Sequence, residues 1–318
     1  MIDAYAGHRH YLDHILPVWE RVPEHLKGNI YTASDFGGVG IATRRAPSRG
    51  GPLIVAGYED YRSHRARPII YVEHGIGQSY DGDEASLRNP CYSGGSGLDR
   101  VVLFITPNDR VGHRWNAAYP QATVVVAAPA PRPRQATGPR SRPVVAVTFH
   151  WDGRLVPETR SAWAHYDAAL DELARDDRFE LLGHGHPRIY ARIARRWSAL
   201  GVRSTPDLRQ VLDEADLLVG DNTSALYQFA ATDRPVVVLD APWYRRDVDH
   251  GLRFWSHADV GVRIVDPAEL ANAIVVALAD PPEVAQRRRE ISAELFPPHA
   301  AANLASLSGL LELVAAAH

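Results

Sequence analysis

The stretch LLVGDNTSALYQFAATDRPVVVLD, residues 217–240, has the pattern of a buried strand, a polar turn, a helix and a second buried strand. Its two apolar runs have the length and composition of strands in a parallel sheet. Ligands of open α/β sheets bind outside the carboxyl ends of the strands, where a helix N-terminus offers unpaired N–H groups to a phosphate. The turn therefore supplies candidate diphosphate ligands, which are Asp221, Asn222, Thr223 and Ser224. The alternative is that Asn222 or Thr223 only caps the helix.

The same alternation of short apolar runs and longer helical segments extends along the whole chain and predicts an α/β fold with parallel sheets. The predicted strands of the first half are Ile30–Ala33, Leu53–Ala56, Ile69–Val72, Val101–Ile105 and Thr123–Ala127. Those of the second half are Val144–Phe149, Phe179–Leu182, Leu217–Val219, Val236–Leu239 and Val262–Val265. The predicted helices are His8–Lys27 with a kink or restart at Pro17, Asp109–Tyr119, Ser161–Arg175, Arg188–Leu200, Leu208–Glu214, Ser224–Thr232, Ala268–Leu278, Pro282–Leu295 and Asn303–Ala316.

The length of the chain and a linker-like segment near its middle predict two Rossmann-like domains. A chain of 318 residues exceeds the usual size of a single core. Residues 128–143, APAPRPRQATGPRSRP, are rich in proline and arginine without apolar periodicity, which is typical of a linker. We therefore expect an N-terminal domain over residues 1–140 and a C-terminal domain over 141–298. Residues 299–318 follow a proline break and are expected to form a helix that packs back on the first domain.

The composition excludes several classes of protein. A net charge of −3 gives no general basic field for nucleic acid or an anionic membrane. The single cysteine, Cys91, permits neither an intramolecular disulfide nor a cysteine-based zinc site. The chain has no signal-peptide pattern and no apolar run of the roughly 20 residues needed to span a bilayer. We therefore expect a cytoplasmic protein.

A second candidate segment is LLGHGHPRIY, residues 181–190, in which a strand delivers His184 and His186 to its carboxyl end and Pro187 opens the next helix. An imidazole at this edge can bind a phosphate or stabilise the charge left on a departing group. A structural loop histidine is the alternative. No acidic or cysteine ligand lies nearby in sequence, so the pattern does not favour a metal site.

A third segment is YVEHGIGQSY, residues 71–80, in which a strand ends in Glu73 and His74. Gly75 and Gly77 permit a tight turn, but their spacing is not that of a dinucleotide-binding fingerprint. His74 is a candidate general base for an acceptor hydroxyl. A capped loop histidine is the alternative.

A fourth segment is VAVTFHWDGR, residues 145–154, a strand with His150 and Trp151 at its tip. These side chains could line a phosphate or base pocket. A turn at Asp152-Gly153 carrying a half-buried tryptophan accounts for the pattern equally well.

In their order along the chain, these motifs resemble the CDP-glycerol glycerophosphotransferases of teichoic-acid synthesis. That family has the GT-B fold, with two Rossmann-like domains facing each other across a cleft. The resemblance covers about residues 69–256. The matching segments are His74-Gly75, Thr148-Phe149-His150, His186-Pro187, Asp221–Ser224, Asp233-Arg234-Pro235 and Asp247–Trp255.

The resemblance implies roles for these residues. His74 would be the base on the acceptor hydroxyl, with Glu73, Gly75 and Gly77 beside it on the acceptor side. His186 would hold the donor diphosphate and stabilise the leaving group, and the further donor-side residues would be His150, His184, Asp221, Asn222, Thr223, Ser224 and His250. In-line attack would need no cofactor and no divalent metal.

The chain departs from the family pattern at two positions, since Asn222 replaces a common tyrosine and His250 replaces an arginine. The sequence therefore leaves two donors open, CDP-glycerol and a nucleotide sugar. The acceptor hydroxyl could belong to a glycan, a polyol phosphate, a small molecule or a modified nucleic-acid base. A UDP-sugar 2-epimerase-like enzyme and a non-catalytic nucleotide-binding module are the alternative functions.

Overall fold

The structure is a computed structural model, and it describes residues 1–77, 93–132, 140–153, 160–244 and 255–318. The chain divides into two compact units. Unit 1 comprises Met1–Ala130 and Leu295–His318, and unit 2 comprises Pro131–Glu294.

Unit 1 is built on a seven-stranded parallel sheet with the strand order β3-β2-β1-β4-β5-β6-β7. Its strands are β1 (Ile2–Ala6), β2 (Lys27–Thr32), β3 (Ile41–Ala42), β4 (Leu53–Val55), β5 (Ile69–Val72), β6 (Val101–Thr106) and β7 (Thr123–Val126). Its helices are α1 (Leu12–Trp19), α2 (Tyr58–His64) and α3 (Asp109–Ala118), joined by α11 (Pro298–Ala305) and α12 (Ser308–Ala317) from the end of the chain. The strand order reverses between β1 and β4.

Unit 2 is built on a five-stranded parallel sheet with the order β12-β11-β10-β8-β9. Its strands are β8 (Val144–Thr148), β9 (Glu180–Gly183), β10 (Leu217–Gly220), β11 (Val236–Leu239) and β12 (Val262–Ile264). Its helices are α4 (Trp163–Tyr166), α5 (Ala169–Leu173), α6 (Tyr190–Ala199), α7 (Leu208–Glu214), α8 (Ser224–Ala230), α9 (Leu270–Leu278) and α10 (Pro282–Leu295). The strand order reverses between β8 and β10, so this edge of the sheet is where a ligand is expected.

The central strands are apolar along their whole length because both faces of each sheet are covered. All residues of β8, β10 and β11 are buried. In unit 1 the alternate residues of one strand enter two different clusters, as Leu53 packs on one face of the sheet and Ile54 on the other. The predicted parallel α/β sheets are therefore confirmed.

Several predicted element boundaries were wrong. Strand β1 was not predicted, because Asp3 interrupts its apolar run. The structure compensates this charge with the buried guanidinium of Arg67, whose Nη2 lies 2.8 Å from the Asp3 carboxylate. The segment His8–Lys27 contains only one α-helix, Leu12–Trp19, which continues through Pro17. Lys27 instead begins strand β2.

Three predicted helices also differ from the structure. The helix predicted over 161–175 is two short helices, α4 and α5. The terminal one is divided at Ser306–Leu307 into α11 and α12. The helix after His186 begins at Tyr190, and Pro187 lies in the preceding turn.

Candidate functional site

Three strand ends of unit 2 bring the predicted donor-side residues to one edge of the sheet. Strand β8 pairs with β10 on one side, with Thr148 opposite Gly220, and with β9 on the other, with Val147 opposite Gly183. The segments that follow these strands, residues 149–151, 184–188 and 221–224, therefore lie at neighbouring strand ends. This is the edge at which the strand order reverses.

Asp221 connects the turn after β10 to residue 150 and to the segment at residues 161–162. Its buried carboxylate accepts hydrogen bonds from the backbone N–H of His150 at 2.7 Å and of Ala162 at 2.9 Å. The Ser161 hydroxyl donates a third bond at 3.2 Å. Burial raises the pKa of Asp221 to about 6, although these hydrogen bonds act in the opposite direction. The geometry gives Asp221 a positioning role, because its oxygen atoms bind the protein's own loops.

His184 also has its partners within the protein. Its Nδ1 lies 2.7 Å from the hydroxyl of Thr148 on the adjacent strand, and the carbonyl of Pro206 accepts a hydrogen bond from the ring. Burial lowers the pKa of His184 to about 4, so the ring is neutral at pH 7. His184 therefore holds β8 and β9 together at this edge.

His186 and His150 face each other across the strand ends. Their ring centroids are 5.2 Å apart in an edge-to-face arrangement. The Nδ1 of His150 lies 2.8 Å from the carbonyl of Trp151, which can only accept, so this nitrogen carries a proton. The Nδ1 of His186 accepts from the backbone N–H of Arg188 at 3.2 Å, so in the neutral ring the proton is on Nε2. The pair presents polar ring edges at the site.

Arg188 adds a positive charge that the sequence analysis did not single out. Its guanidinium lies 4.9 Å from the ring centroid of Trp151, in a cation–π contact. A basic residue directly after the His186-Pro187 pair at a strand end was the available signal. The contact brings an exposed cation to the edge that holds the two imidazoles.

The glycines of the GHGHP motif explain why its histidines lie on one face. A Cβ on Gly183 would lie 2.4 Å from the Trp197 ring, and one on Gly185 would lie 2.7 Å from Ile193. Both Trp197 and Ile193 belong to α6. Because the glycines permit this close approach of the helix, the alternating histidines face away from it.

Three consecutive residues of the turn between β10 and α8 differ in their surroundings. Thr223 is the N-cap of α8, since its hydroxyl accepts from the backbone N–H of Ala225 at 3.3 Å. Ser224 is the first helical residue and is partly exposed. Asn222 is 5% exposed, and within the described part of the chain neither Oδ1 nor Nδ2 of its amide has a hydrogen-bond partner. The capping alternative is therefore satisfied by Thr223 alone.

His74 lies in unit 1, in the loop that follows β5. Its ring is 5.3 Å from the ring of Tyr11 and 6.2 Å from that of His14, centroid to centroid. Burial lowers the pKa of His14. Neither Tyr11 nor His14 was singled out from the sequence, because they precede His74 by some 60 residues. Half-buried His74 thus belongs to a histidine and tyrosine cluster at the carboxyl ends of β1 and β5.

The two glycines of the His74 loop have positive φ angles, 69° at Gly75 and 88° at Gly77. A Cβ on Gly77 would lie 2.2 Å from Val111, which rules out a larger residue without movement of α3. The side chain of Asn108, which caps α3, donates to the Ile76 carbonyl at 3.1 Å. The loop therefore has a defined course beside the start of α3.

Glu73 is buried beneath this loop and its Oε2 accepts a hydrogen bond of 2.7 Å from the indole N–H of Trp115. The carboxylate therefore supports α3, which weakens the expectation that it contacts an acceptor.

His250 lies outside the described residues, because the structure does not describe residues 245–254, which include most of the predicted Asp247–Trp255 motif. Across the described ranges, no group of three or more His, Cys, Asp or Glu side chains is arranged to hold a metal ion.

No single helix in the described part of the chain is long and apolar enough to cross a membrane, and only the bent pair Pro282–Ala305 and Ser308–Ala317 meets the length and composition criteria together.

Two units, each built on a parallel α/β sheet, are the arrangement of the GT-B class of fold, to which the solved structures similar to this chain belong. The chain belongs to the CDP-Glycerol:Poly(glycerophosphate) glycerophosphotransferase family, whose model matches residues 119–302, more than half of the 318 residues. The resemblance stated from the motifs is thereby confirmed. No curated protein sequence matches the chain.

Solved structures agree with the fold. The wall teichoic acid polymerase TagF soaked with CDPG has a TM-score of 0.66 at 11% identity, over 98% of this chain and 87% of that one. The MnaA–UDP structure from S. aureus has a TM-score of 0.60 at 12% identity, over 93% and 92% of the two chains. Anabaena Alr3699/HepE in complex with UDP and glucose has a TM-score of 0.56 at 12% identity, over 100% and 99%. At these identities the likeness concerns the fold.

Proposed function

We propose that the protein is a transferase that moves glycerol phosphate or a sugar from a nucleotide-diphosphate donor to an acceptor hydroxyl. The observation that carries the proposal is that His150, His186 and Arg188 lie at the same reversal edge of unit 2 as Asn222, whose buried amide has no partner among the described residues. Membership of the glycerophosphotransferase family supports a nucleotide-activated donor.

The chemistry of this edge suits a diphosphate. The positive charge of Arg188 and a proton on His186 Nε2 complement phosphate oxygen atoms, which only accept hydrogen bonds. We propose that Thr223 and Ser224 contact the same group, while Asp221 and His184 position the loops. His250 stays a predicted donor contact.

His74 is proposed as the general base. In glycerol-phosphate transfer, the acceptor oxygen attacks the glycerol-bearing phosphorus and the bridging P–O bond breaks. The bridging oxygen leaves with the electron pair as part of CMP, and the acceptor proton passes to His74. In sugar transfer the same oxygen attacks the anomeric carbon and the nucleoside diphosphate leaves. In both cases His186 stabilises the negative charge on the leaving phosphate. We propose that no divalent metal is needed.

Nucleotide binding tests the donor site directly. The full chain is screened by thermal shift with CDP, UDP, GDP and TDP and with their polyol and sugar conjugates. One series should raise Tm, because a ligand at 100 times its Kd stabilises the native state by about 2.7 kcal/mol. Hydrogen exchange should then slow at residues 148–151, 184–188 and 220–224.

Substitution His186→Ala should weaken this binding, whereas the control His165→Ala should not; His165 is a half-buried histidine of the same unit whose Nε2 lies 2.7 Å from the Val265 carbonyl. Absence of binding by every nucleotide, or protection confined to unit 1, would disprove the donor site.

The base is tested by His74→Ala. Turnover of the best-bound donor, with glycans and polyol phosphates as acceptors, should fall by about a hundredfold, the usual size of a lost general base. Donor affinity should be retained, because the proposed donor residues all lie in unit 2. The control is His113→Ala, an exposed histidine of α3.

An equal loss of donor affinity and turnover would exclude His74 as the base. Turnover should also survive EDTA. Formation of an epimerised sugar without any acceptor would instead identify an epimerase.

A further inference from the structure

The amide of Asn222 is an unsatisfied polar group in a place where proteins seldom leave one. The residue is 5% exposed, and both Oδ1 and Nδ2 are closed to solvent and lack a hydrogen-bond partner among the described residues. More than nine in ten buried polar groups in folded proteins are paired, because an unpaired one lowers stability. Because the unpaired amide lowers stability, a contribution to folding does not explain the presence of asparagine at this position.

The neighbouring residues remove the local explanations. Asp221 already receives the hydrogen bonds of the loops, and Thr223 already caps α8. Asn222 lies between them at the reversal edge of the sheet, and no residue that the structure describes gives its amide a structural role.

We propose that Asn222 determines donor specificity by pairing with a group that presents a hydrogen-bond donor and an acceptor side by side. This inference rests on the proposed function. Such a group is a hydroxyl of the transferred polyol or sugar, or the edge of a nucleobase.

An ionised phosphate does not meet this requirement. Its oxygen atoms only accept, so they would satisfy Nδ2 and leave the amide oxygen against negative charge. A hydroxyl or a base edge satisfies both ends of the amide. Because both amide atoms are closed to solvent, binding also requires the side chain to rotate or a covering segment to move.

Substitution Asn222→Leu tests the proposal, because it removes both polar atoms and keeps the same branched arrangement of side-chain heavy atoms. Replacing unpaired buried polar atoms with apolar ones is neutral or stabilising, so Tm should stay level or rise by about 2 °C or more. The matched control is Thr32→Val in unit 1. It removes a buried hydroxyl that, like the Asn222 amide, has no partner among the described residues. It should raise or preserve Tm in the same way and leave ligand binding unchanged.

Calorimetry with pyrophosphate, the nucleoside diphosphate and its conjugate identifies the group that is recognised. In Asn222→Leu the conjugate should bind about tenfold or more weakly, the scale of one or two lost hydrogen bonds. Pyrophosphate should bind as before. A loss confined to the conjugate assigns the transferred group, and a loss shared by the nucleoside diphosphate assigns the nucleobase edge.

Other outcomes overturn the proposal. Equal losses for pyrophosphate and the conjugate would mean that the amide binds phosphate. A lower Tm with unchanged affinities would mean that Asn222 is structural. Asn222→Ala repeats the measurements if the leucine variant does not fold. Absence of nucleotide binding by the unsubstituted protein would instead refute the proposed function itself, which separates the two failures.

Discussion

At the scale of single residues, the histidines of the proposed donor site differ in burial and in hydrogen bonding. His184 and His186 are two positions apart and looked equivalent in sequence. His184 is buried, neutral and bonded to Thr148, whereas His186 faces His150 at the site. Desolvation is the largest cause of the low pKa of His184, and it depends on neighbours that only the folded chain provides.

Asp60 in unit 1 shows the same dependence on burial for a carboxylate. It is 4% exposed at the start of α2, and its Oδ2 accepts from the backbone N–H of Gly7 at 2.9 Å. Burial raises the pKa of Asp60 to about 7, the Gly7 hydrogen bond lowers it, and the charge of Glu59 raises it further. The native state therefore binds a proton here that the unfolded chain has released.

This proton predicts a specific pH dependence for Asp60→Asn. Because the folded pKa lies above the ordinary value, Asp60 makes the protein lose stability as pH rises from about 4 to about 7, by up to about 1.4 kcal/mol per pH unit. Asparagine does not ionise and should remove this slope. The gain over the unsubstituted protein should be smallest near pH 4, grow through pH 7 and then level off, as measured by urea unfolding.

Glu59→Gln is the control for Asp60→Asn, because Glu59 is an exposed carboxylate next in sequence. It should leave most of the slope between pH 4 and pH 7 in place, because burial, and not the charge of Glu59, is the largest cause of the raised pKa of Asp60. Parallel stability curves for Asp60→Asn and the unsubstituted protein would show that Asp60 is already ionised throughout this range.

At the level of elements, strands made only of apolar residues could be predicted from the sequence, whereas a strand interrupted by a charged residue could not. Strands β8, β10 and β11 are continuous runs of buried residues, so their pattern alone identified them. Strand β1 contains Asp3, and its place in the sheet depends on an ion pair with Arg67, 64 positions away. A local pattern contains no information about such a partner.

At the level of the whole molecule, the end of the chain completes the core of the first unit. Leu304, Leu307, Leu311 and Val314 belong to the same cluster as Ile2 and Leu12. The Asn303 amide donates to the Val126 carbonyl of β7 at 2.8 Å. Unit 1 is therefore built from both ends of the chain.

This arrangement predicts different effects for two leucines of one helix. Leu311 is fully buried in the unit 1 core and Leu313 is 70% exposed. Leu311→Ala should lower the free energy of unfolding by about 2–5 kcal/mol, whereas Leu313→Ala should change it by about 0.5 kcal/mol or less. Denaturant unfolding should measure the loss of unfolding free energy. Hydrogen exchange should show that protection falls mainly in the strands of unit 1.

Nucleotide binding, which is proposed for unit 2, should persist in Leu311→Ala under conditions where the variant is folded. Equal effects of the two leucine substitutions would show that α12 is not part of this core.

The order of the apolar runs and the polar residues at their ends was enough to predict parallel α/β sheets, the family resemblance and the strand ends at which the donor site is proposed. Those features are local, because strand propensity and burial are visible as short patterns of side chains. Folding alone separated the roles within the site. It directed Asp221 and His184 inward, brought Arg188 over Trp151 and left the amide of Asn222 without a partner in the part of the chain that the structure describes. These outcomes depend on desolvation and on contacts between residues far apart in the chain, which exist only once the strand ends have been brought together.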